Sequence, residues 1–203
     1  MANATNKKHF VIIVPGLGDG VKNLQFATSY WHWFGLTPRV HSVGWRDGED
    51  FQPKLNRLIT LIDSYAQNGN TVSLVGTSAG GSAVLNAFSK RRHTVHRVIN
   101  VCGRLQVGTH EGFRSFEFCT QSSPAFAQSV QLREKIQTFL TPRDKQKIMT
   151  VRSLFFDDAV PSDTTIIKGA INTTVPIIGH IPSIACSLTF LSQPLLIFLK
   201  EGI

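Results

Sequence analysis

The chain has 203 residues, the size of one ordinary domain. Apolar residues make up 42% of it and charged residues 17%, which excludes an intrinsically disordered chain, because such chains are poor in apolar residues and rich in charge. Lysine and arginine exceed aspartate and glutamate by 21 to 13, but the basic clusters fall where helix ends and turns are expected, so we expect one globular domain over residues 1–203 that binds no nucleic acid.

Buried strands and helices alternate along the first half of the chain. The continuous apolar run of residues 10–14, which ends in a glycine-rich loop, is typical of a strand buried on both faces. The pattern then predicts helix, strand, helix, strand, helix and strand at residues 23–34, 39–43, 51–67, 71–75, 79–90 and 95–101. In the second of these helices Leu55, Leu58, Ile59 and Ile62 recur at helical spacing, which predicts its buried face.

The second half of the chain is less regular. The pattern weakens over residues 103–150, which we interpret as a cap-like insertion above the sheet. Helices are predicted there at residues 124–140 and 142–149, followed by strands at 151–156 and 173–176 and a last helix from residue 182 onward. Because strands alternate with helices without hairpin signals, the pattern predicts an α/β fold of about six mostly parallel strands with helices on both faces.

Cysteine usage and the two ends of the chain bear on its compartment. Cys102, Cys119 and Cys186 are odd in number and lack C-x-x-C spacing, which argues against a disulfide framework and a cysteine-rich metal site. Residues 1–8 are polar and show no secretory signal. The apolar stretch 181–199 is interrupted by polar residues and a proline, which favours a buried helix over a membrane span. We expect a cytoplasmic protein without stable membrane insertion.

A G-x-S-x-G sequence, Gly76-Thr77-Ser78-Ala79-Gly80, lies between a β-branched strand and a helix of small residues. A serine at such a sharp turn has an unfavourable backbone geometry, and its neighbours two residues away must be nearly free of side chain. The turn also sets Ser78 at a helix N-terminus, where N–H groups favour negative charge. We predict Ser78 as a nucleophile and the Ala79 N–H as an oxyanion donor. The alternative is a glycine-rich turn that only permits close packing.

A serine nucleophile needs a base and an acid that orients the base. Of the seven histidines, only His180 follows an acid at a strand end and precedes the last helix; the alternative is a solvated loop histidine. Two carboxylates, Asp157 and Asp158, come at the end of an apolar run, and sites in open α/β sheets assemble at that edge. The spacing Asp-x-x-Val-Pro favours Asp157, while Asp158 and, more remotely, Asp163 remain open, as does a solvated turn.

The chain order Ser78, Asp157, His180 is the order found in α/β-hydrolases. The loop after the first strand is similar to the loop that supplies their second oxyanion donor, with the Leu17 N–H as the candidate, and it has no nucleotide-binding signature. From its first strand to its last helix the chain resembles a small α/β-hydrolase of the esterase and lipase type, with residues 103–150 as the variable cap. The sheet is predicted to lack two N-terminal strands of that family.

The resemblance implies acyl transfer to water without a cofactor or a metal ion. Ser78 would attack a carbonyl carbon, two backbone N–H groups would hold the oxyanion, and His180 would protonate the leaving group. The expected partner is a small-molecule carboxylic ester with a small or apolar acyl group. Five phenylalanines of the cap suggest an apolar or lipid-like group, but they serve equally well as the hydrophobic core of the cap itself. They are Phe113, Phe116, Phe118, Phe126 and Phe139. A thioesterase or amidase on the same triad, or a non-catalytic binding protein, is the alternative.

Overall fold

A computed structural model describes residues 7–202 of the chain. It contains one sheet of six strands in the order β2-β1-β3-β4-β5-β6, and every neighbouring pair is parallel. The strands are β1 (His9–Val14), β2 (Leu36–Val40), β3 (Thr71–Thr77), β4 (Val95–Val101), β5 (Ile148–Ser153) and β6 (Ile171–Val175). The predicted parallel α/β architecture is confirmed.

Helices cover both faces of this sheet. They are α1 (Val21–Thr28), α2 (Phe51–Ala66), α3 (Gly80–Lys90), α4 (Phe116–Thr120), α5 (Pro124–Ile136), α6 (Pro142–Lys145), α7 (His180–Leu188) and α8 (Gln193–Lys200). Side chains alternate along β1, so that Val11 and Ile13 join one core while Ile12 and Val14 join the other. Helices α2, α3 and α5 cover the Ile12 face, and α1, α7 and α8 cover the Val11 face. The apolar run of β1 is therefore buried on both sides.

The edge strand β2 begins three residues before its predicted position of 39–43. Gly35 ends the preceding 3-10 helix in a left-handed conformation with a φ of 79°, which turns the chain directly into the sheet. Leu36 is buried and pairs with His9 of β1. Pro38 is accommodated because β2 has a neighbour on one side only. The apolar residue that suggested a later strand, Val43, is buried in the following loop.

The sheet resumes earlier than predicted after the insertion. Helix α6 ends at Lys145, and β5 pairs with β4 from Ile148 onward, so the predicted helix 142–149 is too long. The predicted strand 151–156 starts and ends three residues late, because Phe155 and its two neighbours are exposed and lie beyond the pairing with β6. The last three residues of the insertion predicted at 103–150 therefore belong to the sheet. Helix α4 lies within the insertion and was not predicted.

The prediction of one last helix from residue 182 onward is wrong. Two helices are present, α7 and α8, at an angle of 55°. The break follows Thr189, whose φ of −117° and ψ of −102° are not helical. Pro194 lies in the first turn of α8, where its missing N–H costs no helical hydrogen bond. Within residues 7–202 no single helix is long and apolar enough to span a bilayer. Helices α7 and α8 meet these two criteria only when they are counted as one segment, although they are bent relative to each other.

Candidate active site

The G-x-S-x-G segment forms a tight turn between β3 and α3 at the carboxyl edge of the sheet. Ser78 has a left-handed backbone with a φ of 51°, and its N–H donates to the Val101 carbonyl at 2.9 Å. A Cβ atom on Gly76 would lie 2.3 Å from the Gly80 carbonyl oxygen, so a side chain cannot fit there. The two glycines therefore let the chain reverse closely enough to raise the Ser78 hydroxyl above the sheet.

The structure brings Ser78, His180 and Asp157 into one hydrogen-bonded chain. The Ser78 hydroxyl lies 2.8 Å from His180 Nε2. His180 Nδ1 lies 2.9 Å from Asp157 Oδ2 and 3.1 Å from Oδ1. The imidazole and the carboxylate are almost completely buried, at 6% and 3% exposure, while one side of the serine hydroxyl faces an open cavity. Such a chain can pass a proton from the hydroxyl to the imidazole and hold the ring while it does so.

Backbone groups fix the Asp157 carboxylate in place. Its Oδ1 atom accepts hydrogen bonds from the N–H groups of Ala159, at 2.9 Å, and Val160, at 2.8 Å. Oδ2 is left to face the imidazole. These two N–H donors fix the direction in which Oδ1 points and thereby the orientation of the whole carboxyl group. The carboxylate is thus both oriented and suited to face an imidazole N–H.

The other two carboxylates that the sequence left open, those of Asp158 and Asp163, have partners other than the His180 ring. Asp158 Oδ1 accepts the backbone N–H of His180 at 2.6 Å, and this hydrogen bond lowers the pKa of the Asp158 carboxyl. Asp158 therefore holds the first residue of α7 rather than its imidazole. Asp163 instead contacts His110 Nε2 at 2.8 Å. The sequence did not predict that Asp158 binds the backbone of His180. The adjacent pair of aspartates, Asp157 and Asp158, was the sequence signal that could have indicated it.

The loop after β1 passes close beside the serine. A Cβ atom on Gly16 would lie 2.7 Å from Ser78 Cβ and 3.2 Å from its Oγ, so Leu17 follows at the closest approach of the two segments. Within residues 7–202 the N–H groups of Leu17 and Ala79 donate to no main-chain acceptor. The loop is held from behind by Trp45 Nε1, which donates to the Pro15 carbonyl at 3.0 Å. Both predicted oxyanion donors thus flank Ser78 with their N–H groups uncommitted.

Two cavities meet at Ser78, and Leu17 and Ala159 also line both. The larger has a volume of about 590 Å³ and lies between the β1 loop, α1 and α7. The smaller, of about 330 Å³, is lined mainly by residues of the segments 104–126 and 158–160. Of the five phenylalanines of the predicted cap, Phe113, Phe118 and Phe126 line the smaller cavity, Phe116 is buried in the core, and Phe139 is exposed. In the described part of the chain no three His, Cys, Asp or Glu side chains are grouped to hold a metal ion.

Comparison with known proteins shows the fold. No protein-family model matches the chain, and no curated protein matches it in sequence. Among solved structures, Est1E from Butyrivibrio proteoclasticus is 14% identical at a TM-score of 0.69, covering 98% of this chain and 90% of its own. MGS-MChE2, an α/β-hydrolase enzyme from the metagenome of lagoon sediments of Mar Chica, Morocco, is 15% identical at 0.67, covering 96% and 92%.

A thioesterase domain from the curacin biosynthetic pathway is also similar in structure. It is 14% identical at a TM-score of 0.61, covering 91% of this chain and 90% of its own. Together these similarities show that the chain has a small α/β-hydrolase fold, as the sequence resemblance implied. The fold by itself does not identify a reaction, because one fold carries many activities.

Proposed function

We propose that this chain is a serine hydrolase that cleaves a carboxylic ester through an acyl-enzyme on Ser78. The observation that carries the proposal is the unbroken hydrogen-bonded chain from Ser78 through His180 to Asp157 beside two open cavities. Nucleophile, base and orienting acid at these distances form the arrangement that acyl transfer requires.

The proposed reaction runs in two halves. His180 Nε2 takes the proton from Ser78 Oγ as the oxygen attacks the ester carbonyl, and the N–H groups of Leu17 and Ala79 bind the oxyanion. The protonated imidazole then gives this proton to the leaving alcohol, which departs and leaves the acyl group on Ser78. A water molecule then gives a proton to His180 Nε2 as its oxygen attacks the acyl carbon. The bond between that carbon and Ser78 Oγ breaks, the acid is released, and His180 returns the proton to Oγ.

Asp157 sets the direction of proton transfer in this scheme. Its carboxylate accepts the Nδ1–H of His180, so the tautomer with a free electron pair on Nε2 is the one that faces the serine. When the ring becomes positively charged, the buried carboxylate stabilises it. The same imidazolium forms whether the leaving group is an alcohol, a thiol or an amine.

The larger cavity supports a substrate with an apolar group. Leu24, Ile184 and Leu188 line it, and its volume of about 590 Å³ lies in the range of small-molecule sites. A thioester is the second candidate bond, favoured by the structural similarity to the thioesterase domain. A direct comparison of matched oxygen and sulfur esters distinguishes the two, since both pass through the same acyl-enzyme.

Labelling with a fluorophosphonate probe tests the proposal. We expect the native chain to be labelled and Ser78→Ala to remain unlabelled, with hydrolysis of 4-nitrophenyl butyrate reduced at least about 10³-fold. Ser89→Ala, which removes another hydroxyl from the helix that follows the turn, is the matched control and should be labelled like the native chain. Equal labelling of Ser78→Ala would remove Ser78 as the nucleophile. A folded native chain that is never labelled would instead support a binding protein.

A further inference from the structure

The smaller cavity beside Ser78 differs from the larger one in its charge. The larger cavity is lined mainly by apolar residues of α1 and α7, and its carboxylate, Asp19, accepts hydrogen bonds from Ser42 and the Gly44 N–H. The smaller one is lined by the side chains of Arg46 and Arg104 together with the phenylalanines of the insertion. Within residues 7–202 neither arginine forms an ion pair with a carboxylate. Two arginines without ion-pair partners therefore line a cavity that Ser78 also lines.

Arg104 is completely buried, and neutral acceptors hold it. Its three nitrogens donate to the carbonyls of Gln106 at 3.1 Å, Arg114 at 2.9 Å and Val107 at 2.5 Å. The Phe116 ring covers one face, with its centroid 5.7 Å from the guanidinium carbon. Burial lowers the pKa of the Arg104 guanidinium, but an arginine keeps its charge at neutral pH. The Cys119 side chain also forms a hydrogen bond with Arg104, but no carboxylate in the described part of the chain does. A buried cation without a carboxylate partner is a costly arrangement unless an anion completes it.

Few carboxylates lie near Arg104, and within residues 7–202 none of them forms an ion pair with it. Glu117 and Asp163 favour its charge from a distance, and Asp163 contacts His110. The acid that lines the cavity itself is Asp158, whose carboxylate accepts the backbone N–H of His180. One negative charge therefore faces two positive ones, and the cavity keeps a positive excess.

Arg46 lies at the exposed rim, in the loop that follows β2. Of its acidic neighbours in the chain, Asp47 binds Lys54, Glu49 binds Arg57, and Asp50 accepts a hydrogen bond from the Gln128 side chain. The backbone beside Arg46 is anchored, since Trp45 is buried and donates to the Pro15 carbonyl at 3.0 Å. A free guanidinium on a fixed loop can bind a carboxylate through two parallel hydrogen bonds.

We propose that the substrate carries a carboxylate, which Arg46 binds in the smaller cavity with the charge of Arg104 behind it, while an apolar group fills the larger cavity. The identity of the bond between the two groups rests on the proposed function. The anion site itself does not, since the charge and shape of the smaller cavity are present whether or not Ser78 reacts.

Two pairs of esters test the site through catalysis. Mono-4-nitrophenyl adipate is compared with 4-nitrophenyl hexanoate, and 4-(hexanoyloxy)benzoate with 4-(hexanoyloxy)benzamide, so that the carboxylate is on the acyl side in one pair and the alcohol side in the other. We expect kcat/KM to favour the anion in at least one pair by about tenfold, the effect of one charge contact of this kind. Arg46→Gln should bring that ratio close to one.

Arg143→Gln is the matched control for this experiment. It removes the same charge from an exposed position on α6, before the start of β5 and away from the carboxyl edge where Ser78 lies. The anion preference should stay the same in this variant. If neither pair favours the anion, or if Arg46→Gln keeps the preference, the proposal is overturned.

Cys119 provides a second readout that does not need Ser78. Its thiol lines the smaller cavity, whereas Cys102 is completely buried, with a pKa raised to about 12 by burial. In a Cys186→Ser background, the rate of Cys119 modification is compared between an anionic and a cationic methanethiosulfonate, each normalised to its rate with 2-mercaptoethanol. We expect the anionic reagent to be favoured, and Arg46→Gln to lower the rate ratio about tenfold.

The two readouts separate the two proposals. A preference of Cys119 for the cationic reagent, or an unchanged ratio in Arg46→Gln, rejects the anion site even if the chain hydrolyses esters through Ser78. A chain that hydrolyses no ester but shows the expected thiol ratio keeps the anion site and rejects the hydrolase.

Discussion

Asp157 and Asp158 are adjacent in the chain and hold opposite parts of the same histidine. Asp157 faces Nδ1 of the His180 ring, and Asp158 accepts the backbone N–H of that residue. Both lie in irregular chain after Ser153, where β5 ends. Sequence spacing favoured Asp157 but could not separate the two, because the direction of a side chain in a loop depends on the contacts the loop makes.

Replacing each aspartate by asparagine should separate their roles. We expect Asp157→Asn to reduce kcat by about 10⁴-fold, because an amide can stabilise the wrong imidazole tautomer and cannot balance the charge of the ring. Asp158→Asn keeps an acceptor for the His180 N–H and should cost no more than about tenfold, since a neutral acceptor is weaker than a charged one. Steady-state hydrolysis of 4-nitrophenyl butyrate by both folded variants measures this, and a larger loss in Asp158→Asn would reverse the assignment.

His9 makes the stability of the chain depend on pH. The ring is buried between β1 and β3, contacts Ser73 Oγ at 2.9 Å and lies 5.7 Å from the His96 ring. Burial, with a smaller contribution from His96, lowers the pKa of His9 from 6.5 to about 4. Between these values the unfolded chain binds a proton that the folded chain does not, so stability falls as the pH falls from 6.5 towards 4.

The urea midpoint measured from pH 7 to pH 4.5 should therefore decrease. In His9→Gln the decrease should be smaller, because glutamine keeps a polar contact with Ser73 but takes up no proton. An identical slope in the two proteins would show that other groups carry the pH dependence.

At the scale of single elements, the sequence predicted best the helices and strands whose hydrophobic pattern matches the faces that are buried. The predicted bounds of β4 agree with the structure, and those of α2 differ by one residue at its end, since burial on both faces or on one stripe leaves a clear periodicity. The strand predicted at 151–156 was placed three residues too late, because Leu154, Phe155 and Phe156 extend the apolar run beyond the last paired residue, Ser153. Apolar composition does not show where a partner strand ends.

Helix α2 offers a test of that periodicity. Leu58 is 1% exposed in the core, whereas its neighbour Ile59 is only partly buried at the edge. We expect Leu58→Ala to lower the free energy of unfolding by about 2–5 kcal/mol and Ile59→Ala by clearly less, at about 1 kcal/mol. Urea unfolding followed by circular dichroism gives both values. Equal losses would mean that the helix is rotated relative to its described position.

On the scale of the whole molecule, the sheet separates two cores. Ile62 of α2 packs in one and Ile184 of α7 in the other. We expect Ile62→Val and Ile184→Val each to cost about 0.5–1.5 kcal/mol, and the double variant to match their sum within about 0.5 kcal/mol, because distant sites without shared neighbours act independently. Calorimetry and urea unfolding of all four proteins check the sum, and a large deviation would show that strain crosses the sheet.

The sequence predicted the fold of the whole molecule but not which residues, far apart in the chain, lie close together in space. The parallel sheet and the α/β-hydrolase fold followed from alternating patterns and from the G-x-S-x-G turn. The stretch 181–199 was predicted as one buried helix, but only one face of it is buried, Ile181, Phe190 and Ile197 are exposed, and its division into α7 and α8 depends on how each helix packs. Arg46 and Arg104 share a cavity only because the β2 loop and the insertion meet above the sheet. The expected cytoplasmic location remains a prediction.

The left-handed backbone of Ser78 has a consequence for how this molecule can change. Glycine adopts a φ of 51° without the strain that a serine bears there, so a glycine at position 78 would relax the turn and make the fold more robust. That variant would have lost the hydroxyl that we propose as the nucleophile. Under the proposed mechanism, selection of variants for thermal stability alone would therefore tend to remove this hydroxyl, and stability and activity would compete at this one residue.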